Sequence, residues 1–303
     1  MRIAVTGSAG LIGTALVRSL RADGHEVCRL VRRPPRGPDE AAWDPKRGYV
    51  EESGLTGCAA VVNLAGAGLG DHRWTEAYKK EIRDSRVLGT RTLAAALAAL
   101  PEPPRVLVNA SGVGVYGDTG DRTVDEDSPV AGGFLPSLCV EWEAATAPAR
   151  EAGVRTVFTR TGPVVAGRGG AWGRRLIPLF RAGLGGRLGT GRQYMSWMSL
   201  RDHVAALRFL IDEDGLSGPV NLTGPAPVTN REMTAVLGRL LHRPTVFAVP
   251  APAIRLVLGE FAEDVLTGQR AVPRRLLDAG FRFQDPTVED ALRWALTADR
   301  RGD

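Results

Sequence analysis

Apolar and polar positions change period repeatedly along the first half of the chain. Residues 2–6 pattern as a buried strand. Leu11, Ile12, Ala15, Leu16 and Leu20 then recur at helical spacing until Gly24. Further strands are predicted over residues 26–31, 60–64, 105–110 and 156–161. Helical patterns cover residues 75–100, stopped by Pro101, and 138–151. Strands alternating with helices over some 160 residues predict an α/β fold with a doubly wound parallel sheet and right-handed crossovers.

The pattern changes after Pro163. Residues 167–191 are rich in Gly and Arg. A helix over 200–212 and a short strand over 220–222 look like a return to the first unit. From Asn230 onward two or three helices are expected, with breaks at Pro244, Pro250 and Pro252. The plan is a nucleotide-binding domain over 1–165, with returning segments near 200–222. A smaller, partly interleaved C-terminal substrate lobe follows over 166–303. The cleft between them is the expected ligand site.

Composition narrows the class. A hydrophobic fraction of 44% with 24% charged residues fits an ordinary globular chain and excludes global disorder. No apolar run approaches the roughly 18 residues of a membrane span, so no membrane partner is expected. Met1 leads straight into a strand and a glycine turn, too soon for a signal-peptide core, so the expected location is cytoplasmic. The cysteines Cys28, Cys58 and Cys139 lie far apart, and the chain has four histidines. Neither a disulfide framework nor a metal site is expected. The formal charge of +5 is spread among acids without a basic block. That argues against a nucleic-acid groove and suits an anionic cofactor or substrate.

The sharpest chemical signal is the run Thr6-Gly7-Ser8-Ala9-Gly10-Leu11-Ile12-Gly13 between a strand and a helix. Gly7 permits a tight turn, Gly10 lets the backbone approach a pyrophosphate, and Gly13 lets the helix pack close to the sheet. The helix start then offers free N–H groups and a positive dipole end to phosphate. A site for NAD usually carries an acid at the end of the second strand, for the ribose hydroxyls. No acid occurs between Val27 and Pro38, where Arg29, Arg32, Arg33 and Arg36 stand instead. Arg32 or Arg33 falls just past the strand end, placed to clasp a 2′-phosphate, which predicts NADP(H) over NAD(H).

Several motifs carry a family resemblance. Thr6–Gly13, Asn63-Leu64-Ala65-Gly66, Ser111 through Val115-Tyr116-Gly117, and Arg160-Thr161-Gly162-Pro163 resemble the extended short-chain dehydrogenase/reductase superfamily. The motifs Gly189–Gln193 and Ser199–Asp202 are similar to those of sugar-nucleotide epimerases. Arg73-Trp74, Ser85-Arg86 with Gly89-Thr90, Cys139 with Trp142-Glu143, and Gly268-Gln269-Arg270 resemble an atypical branch, the epimerase-family proteins. That branch sometimes carries a cell-division-inhibitor label, which nothing in these residues supports. The resemblance implies a Rossmann-type fold and a C-terminal domain of unknown function over about 248–295. It also implies cofactor contacts at Leu64, Ala65, Gly66, Thr161, Gly162 and Pro163.

The chain departs from the superfamily where the chemistry lies. The usual Tyr and Lys sit four residues apart on one helix, and none of Tyr49, Tyr78, Tyr116 and Tyr194 has a Lys at that spacing. At the matching helix stand Cys139 and Glu143. Glu143 can accept a hydrogen bond from a cofactor ribose. Cys139 is either a small packed residue or a proton-transfer group. Ser111 is a candidate for binding a substrate carbonyl, and Tyr116 is a reserve proton donor or a structural turn residue. Trp74 is placed to stack on a ligand or to cover a helix start. Arg86 is placed for substrate binding or for a buried ion pair. Gln193, Tyr194 and Trp197 form a polar–aromatic cluster at the expected cleft edge, as substrate contacts or packing.

These residues support an NADP(H)-dependent oxidoreductase or epimerase-like protein for a small carbonyl, hydroxyl or nucleotide-sugar compound. The alternative is an NADP(H)-binding sensor or interaction protein without turnover. The apolar stripe on the 75–100 helix permits a homodimer.

Overall fold

The computed structural model describes residues 1–301. Its centre is an eight-stranded sheet. In chain order the strands are β1 (Arg2–Thr6), β2 (Glu26–Val31), β3 (Glu40–Asp44), β4 (Tyr49–Val50), β5 (Ala60–Asn63), β6 (Val106–Gly112), β7 (Arg155–Thr161) and β8 (Gly218–Leu222). Across the sheet the order is β8-β7-β6-β5-β1-β2-β3-β4. All neighbours are parallel except β3 and β4. The order reverses at β1, so the strand ends on either side of it open a crevice.

Helices cover both faces. On one, α1 (Leu11–Ala22) packs with a later helix, α4 (Leu200–Asp212), around Ile3, Val5, Leu16, Leu207 and Val220. On the other, α2 (Glu76–Ala98) buries Leu93, Ala94 and Leu97 against Ala4, Val61 and Leu107. Strands enclosed on both sides read as continuous apolar runs, which is why β1 and β5 were legible.

The helix expected over 138–151 is corrected at both ends. It begins earlier, as α3 (Phe134–Ala144), because Pro136 falls in the first turn, where its missing N–H costs nothing. It stops where the Thr146 hydroxyl bonds the Glu143 carbonyl at 2.7 Å, and a separate short helix follows at Ala147–Glu151. The C-terminal count is also corrected. α5 (Asn230–Leu241), α6 (Ala251–Leu258), α7 (Ala262–Leu266), a short helix at Arg274–Asp278 and α8 (Val288–Arg301) make five α-helices from Asn230 onward among the described residues. Pro252 does not break α6 but sits in its first turn.

The smaller lobe has its own core, in which Trp172, Trp197, Met233, Leu237 and Leu292 meet. A capping box between Thr229 and Glu232 starts α5 there. The lobe is tied back to the sheet. Arg270–Ala271 pairs with Thr123–Val124, and Leu276 and Phe281 join the core beneath α4. No helix among the described residues is long and apolar enough to cross a membrane.

Candidate active site

The glycine turn has the geometry its spacing implies. Gly7 has φ +63°, and a Cβ there would stand 2.6 Å from the Leu64 carbonyl oxygen. A Cβ on Gly13 would lie 2.2 Å from the Gly7 carbonyl oxygen. The first helical bond of α1 is Thr14 N–H to Gly10 O, and no side chain caps the helix. The N–H groups of Leu11, Ile12 and Gly13 therefore lack intrahelical acceptors. Ser8 holds the turn by accepting the Thr14 hydroxyl at 3.2 Å through its carbonyl. Gly169 and Gly170, both at positive φ, bring the smaller lobe against the Leu11 side chain at the edge of this turn.

At the end of β2 the two arginines differ. Arg33 forks onto Glu40, with bonds of 2.7 and 2.6 Å. Arg29 also reaches Glu40 at 2.8 Å, and the Arg36 N–H donates to it at 2.7 Å. The bond from Arg33 and then the Arg36 N–H hold the Glu40 carboxyl down at about 2. Glu40, on a strand the sequence pattern missed, is thus a buried acid already committed to arginines. Arg32 is exposed.

A buried polar network supports the loop after β5. The Thr6 hydroxyl donates to Asn63 Oδ1 at 2.6 Å and accepts from the N–H groups of Leu64 and Ala65 at 3.0 and 3.2 Å. Asn63 Nδ2 donates to Thr90 and Asn109 at 2.9 and 2.7 Å, and Trp142 Nε1 donates to Thr90 at 2.9 Å. The network fixes Leu64, Ala65 and Gly66 beside the glycine turn. On the far side, Gly162 leaves no space for a side chain, since a Cβ would overlap the Ser196 carbonyl. The Pro163 carbonyl accepts the Met198 N–H at 3.0 Å. The Thr161 hydroxyl shares a 3.1 Å contact with His203 Nε2. His203 is fully buried, and burial pushes its imidazole down to about 4.

The chemical centre lies between β6, β7 and α3. The Ser111 hydroxyl donates to Glu143 Oε1 at 2.7 Å. Arg160, opposite Ser111 on the neighbouring strand, forks onto Glu143 with bonds of 2.9 and 3.0 Å. Their side chains are only 7% and 12% exposed. Burial opposes the Arg160 charge, but the bonds to Glu143 outweigh it and hold the guanidinium protonated above its ordinary range. Arg160 also donates to the Tyr116 hydroxyl at 3.1 Å, which itself donates to Asn221 at 2.8 Å. The Cys139 thiol donates to the Gly112 carbonyl at 3.6 Å, and burial, then the Glu143 charge, push it up to about 11.

Ser111, Cys139 and Glu143 therefore come together, with Arg160 as the member the sequence pattern did not single out as a partner. Two candidates are corrected. Tyr116 is 1% exposed and its hydroxyl is already engaged on both sides, so it holds β7 and β8 rather than facing the cleft. Trp197 is fully buried in the core of the smaller lobe, its Nε1 donating to Ala226 O at 3.0 Å, because the link between the short strands Tyr194–Met195 and Met198–Ser199 passes it inward. Tyr194 is half-buried beneath Arg270, 4.8 Å from its ring centre. Gln193 bridges the Leu188 and Val265 carbonyls at 3.1 and 3.2 Å and leaves its Oε1 buried without a partner. Trp74 packs between Phe134 and Phe261 and joins the loop before α2 to the smaller lobe. Arg86 makes no ion pair among the described residues and lies over the Trp142 ring at 5.1 Å.

This fold and turn define a Rossmann-type protein, an open parallel sheet with a glycine turn between its first strand and first helix. Residues 3–223 match the NAD dependent epimerase/dehydratase family, and 249–295 match a domain of unknown function, DUF1731. The chain belongs to the NAD dependent epimerase/dehydratase family. It is 51% identical to an epimerase family protein of Mycobacterium bovis over 296 residues, 97% of each chain. It is 40% identical to the epimerase family protein SDR39U1 of Bos taurus, covering 97% of this chain and 99% of that one. A crystal structure of human epimerase family protein SDR39U1 with NADPH is similar at TM-score 0.91 and 35% identity, covering 98% of this chain and 99% of that one.

Proposed function

We propose that the protein is an NADP(H)-dependent oxidoreductase, or an epimerase using the same step, acting on a small carbonyl, hydroxyl or nucleotide-sugar compound. The observation that carries this reading is the Ser111–Glu143–Arg160 chain at the strand ends beside an uncapped, glycine-lined helix start. The residues fit the dinucleotide. The space a Cβ would fill at Gly7 and Gly13 is closed by backbone, and the free N–H groups of Leu11, Ile12 and Gly13 suit a pyrophosphate. Arg32 is open for a 2′-phosphate, while the one nearby buried acid, Glu40, is occupied by Arg29 and Arg33. That favours NADP(H) over NAD(H). The NADPH in the structure of the human relative supports the same preference.

A nicotinamide bound there supplies or accepts a hydride at the substrate carbon. The chain's own task is the proton. Ser111 takes the proton of a substrate hydroxyl while passing its own to Glu143 Oε1, 2.7 Å away, and the reverse movement protonates a carbonyl oxygen. Arg160 holds the Glu143 carboxylate in place through its two-bond fork, so that Oε1 stays within reach of the Ser111 hydroxyl. This relay stands in place of the usual Tyr/Lys pair. The Cys139 thiol, buried and raised to about 11, is a poor donor by comparison.

Turnover of NADPH or NADP⁺ with a panel of carbonyl and alcohol compounds tests the proposal. Ser111→Ala and Glu143→Gln should each lower turnover by about 10²- to 10⁴-fold, with cofactor affinity kept in Ser111→Ala. Unchanged turnover in both would remove the relay. The second reading, a cofactor-binding sensor without turnover, is favoured by the saturated Tyr116 hydroxyl and the raised thiol. It predicts tight cofactor binding with every panel compound inert.

A further inference from the structure

Arg86 lies within α2, only 9% exposed. Burying a guanidinium costs several kcal/mol unless a carboxylate or a full set of acceptors meets it. Arg160, buried to a similar degree, has Glu143. Among the described residues Arg86 has no carboxylate partner, and of its five donors one nitrogen reaches the Ile82 carbonyl at 3.1 Å. The Trp142 ring covers its flat face. Desolvation works against its charge, and only the weakly acidic Cys139 thiol and Tyr78 phenol oppose it, with no carboxylate.

Its surroundings locate the unspent donors. A Cβ on Gly66 would come within 3.2 Å of Arg86 Cζ, so the loop after β5 keeps a glycine where this guanidinium passes. Gly7 touches the other end of the same loop at Leu64, so Arg86 lies beyond the phosphate-binding turn. The Trp142 against which it stacks belongs to α3, as do Cys139 and Glu143. Cys139 lies one turn before Trp142 on α3, with its Sγ 3.6 Å from the Gly112 carbonyl at the end of β6. Through Trp142 the cation is joined to the helix whose next residue, Glu143, holds the Ser111 hydroxyl.

From this juxtaposition, a buried and acid-free guanidinium flanked by Gly66 and by the Trp142 ring of the helix that carries Glu143, we infer that the substrate is anionic and that Arg86 seats its carboxylate or phosphate group. A planar fork with free edges accepts two oxygens of such a group side by side. The stacked tryptophan and the glycine wall confine the group beside Ser111. The substrate class narrows from any small carbonyl or hydroxyl compound to one bearing an oxyanion close to the reacting carbon. This rests on the dinucleotide reading above.

The test uses the full-length protein loaded with NADPH, titrated calorimetrically with acetate, oxamate and inorganic phosphate. Acetamide and oxamide serve as neutral counterparts. At least one anion should bind while its neutral counterpart does not, and the better of carboxylate and phosphate identifies the group. Arg86→Met should weaken that anion by roughly ten- to a hundredfold with NADPH affinity unchanged, and Arg86→Lys should keep part of it. If Arg86→Met does not fold, the Arg86→Lys loss and the anion-against-amide contrast in the unaltered protein decide. The inference is overturned if no anion binds the loaded protein or if amides bind equally well. It is also overturned if the variants keep full anion affinity or lose NADPH instead. Failure to load NADPH at all overturns the dinucleotide reading itself, a result separate from these.

Discussion

Taking a carboxylate and a guanidinium out of water costs several kcal/mol per ion, and only close, well-aligned pairing repays it. Glu143 and Arg160 meet that condition through a two-bond fork. Removing one partner strands the other, so Glu143→Leu and Arg160→Met should each cost about 3–5 kcal/mol of folding stability. The double replacement Glu143→Leu with Arg160→Met should cost much less than the two single losses combined. Denaturant melts of the four proteins check this, and additive losses would show that the pair is not coupled. His203 gives a pH signature. Its imidazole is held at about 4 when folded and returns to its ordinary 6.5 when the chain unfolds. Between those values only the unfolded chain binds the proton, so stability falls as pH drops from about 6.5 to about 4, by up to about 3 kcal/mol. Asp264 acts oppositely. Burial pushes its carboxyl up to about 6, so it stabilises below its ordinary 3.8 and loses that contribution as pH rises through 6. The net slope mixes both, and the informative quantity is a difference. His203→Gln should lose less stability than the parent between neutral pH and pH about 4, and identical slopes would contradict the assignment.

At the scale of elements, the β1–α1 turn is the most constrained. A methyl group at position 13 would overlap the Gly7 carbonyl, and a backbone atom cannot swing aside as a side-chain tip can. Gly13→Ala should lower stability by about 1–3 kcal/mol and abolish dinucleotide binding, read by thermal melting and by titration. Retained binding would mean that the turn is not the phosphate site. This turn was legible in the sequence because local rules determine it: three glycines, a strand before and an amphipathic helix after. The start of α3 was not, because Pro136 reads as a break until its place in the first turn is known. The strands β3 and β4 were missed because β3 begins and ends on the acids Glu40 and Asp44 and β4 has two residues, one of them exposed, so neither reads as an apolar run. The Glu143–Arg160 fork was also hidden. The residues are 17 apart on a helix and a strand, and only the register of β6 against β7 brings Arg160 beside Ser111. Trp197 looked like a cleft residue for a similar reason: it stands in an irregular link, and its direction depends on the Met233 and Leu292 side chains that pack around it.

At the scale of the molecule, the C-terminal segment is part of the nucleotide-binding unit as well as the smaller lobe. Leu276 and Phe281 fill the core under α4, and Arg275 and Glu126 hold β8 through the Pro219 carbonyl and the Asn221 N–H. Phe261 and Trp74 close the two lobes over the loop that follows β5. A chain ending at residue 248 should therefore lose its cooperative thermal transition, followed by circular dichroism. A truncated chain melting near the parent temperature would contradict the interleaving. The central claim is that this assembled cleft takes an NADP(H) cofactor through the glycine turn and the arginines after β2. Parallel calorimetric titration with NADPH and NADH tests it most directly. The account predicts that NADPH binds roughly ten- to a hundredfold more tightly, with the preference reduced in an Arg32→Ala, Arg33→Ala double variant. Equal affinity for the two, or no binding of either, would contradict it.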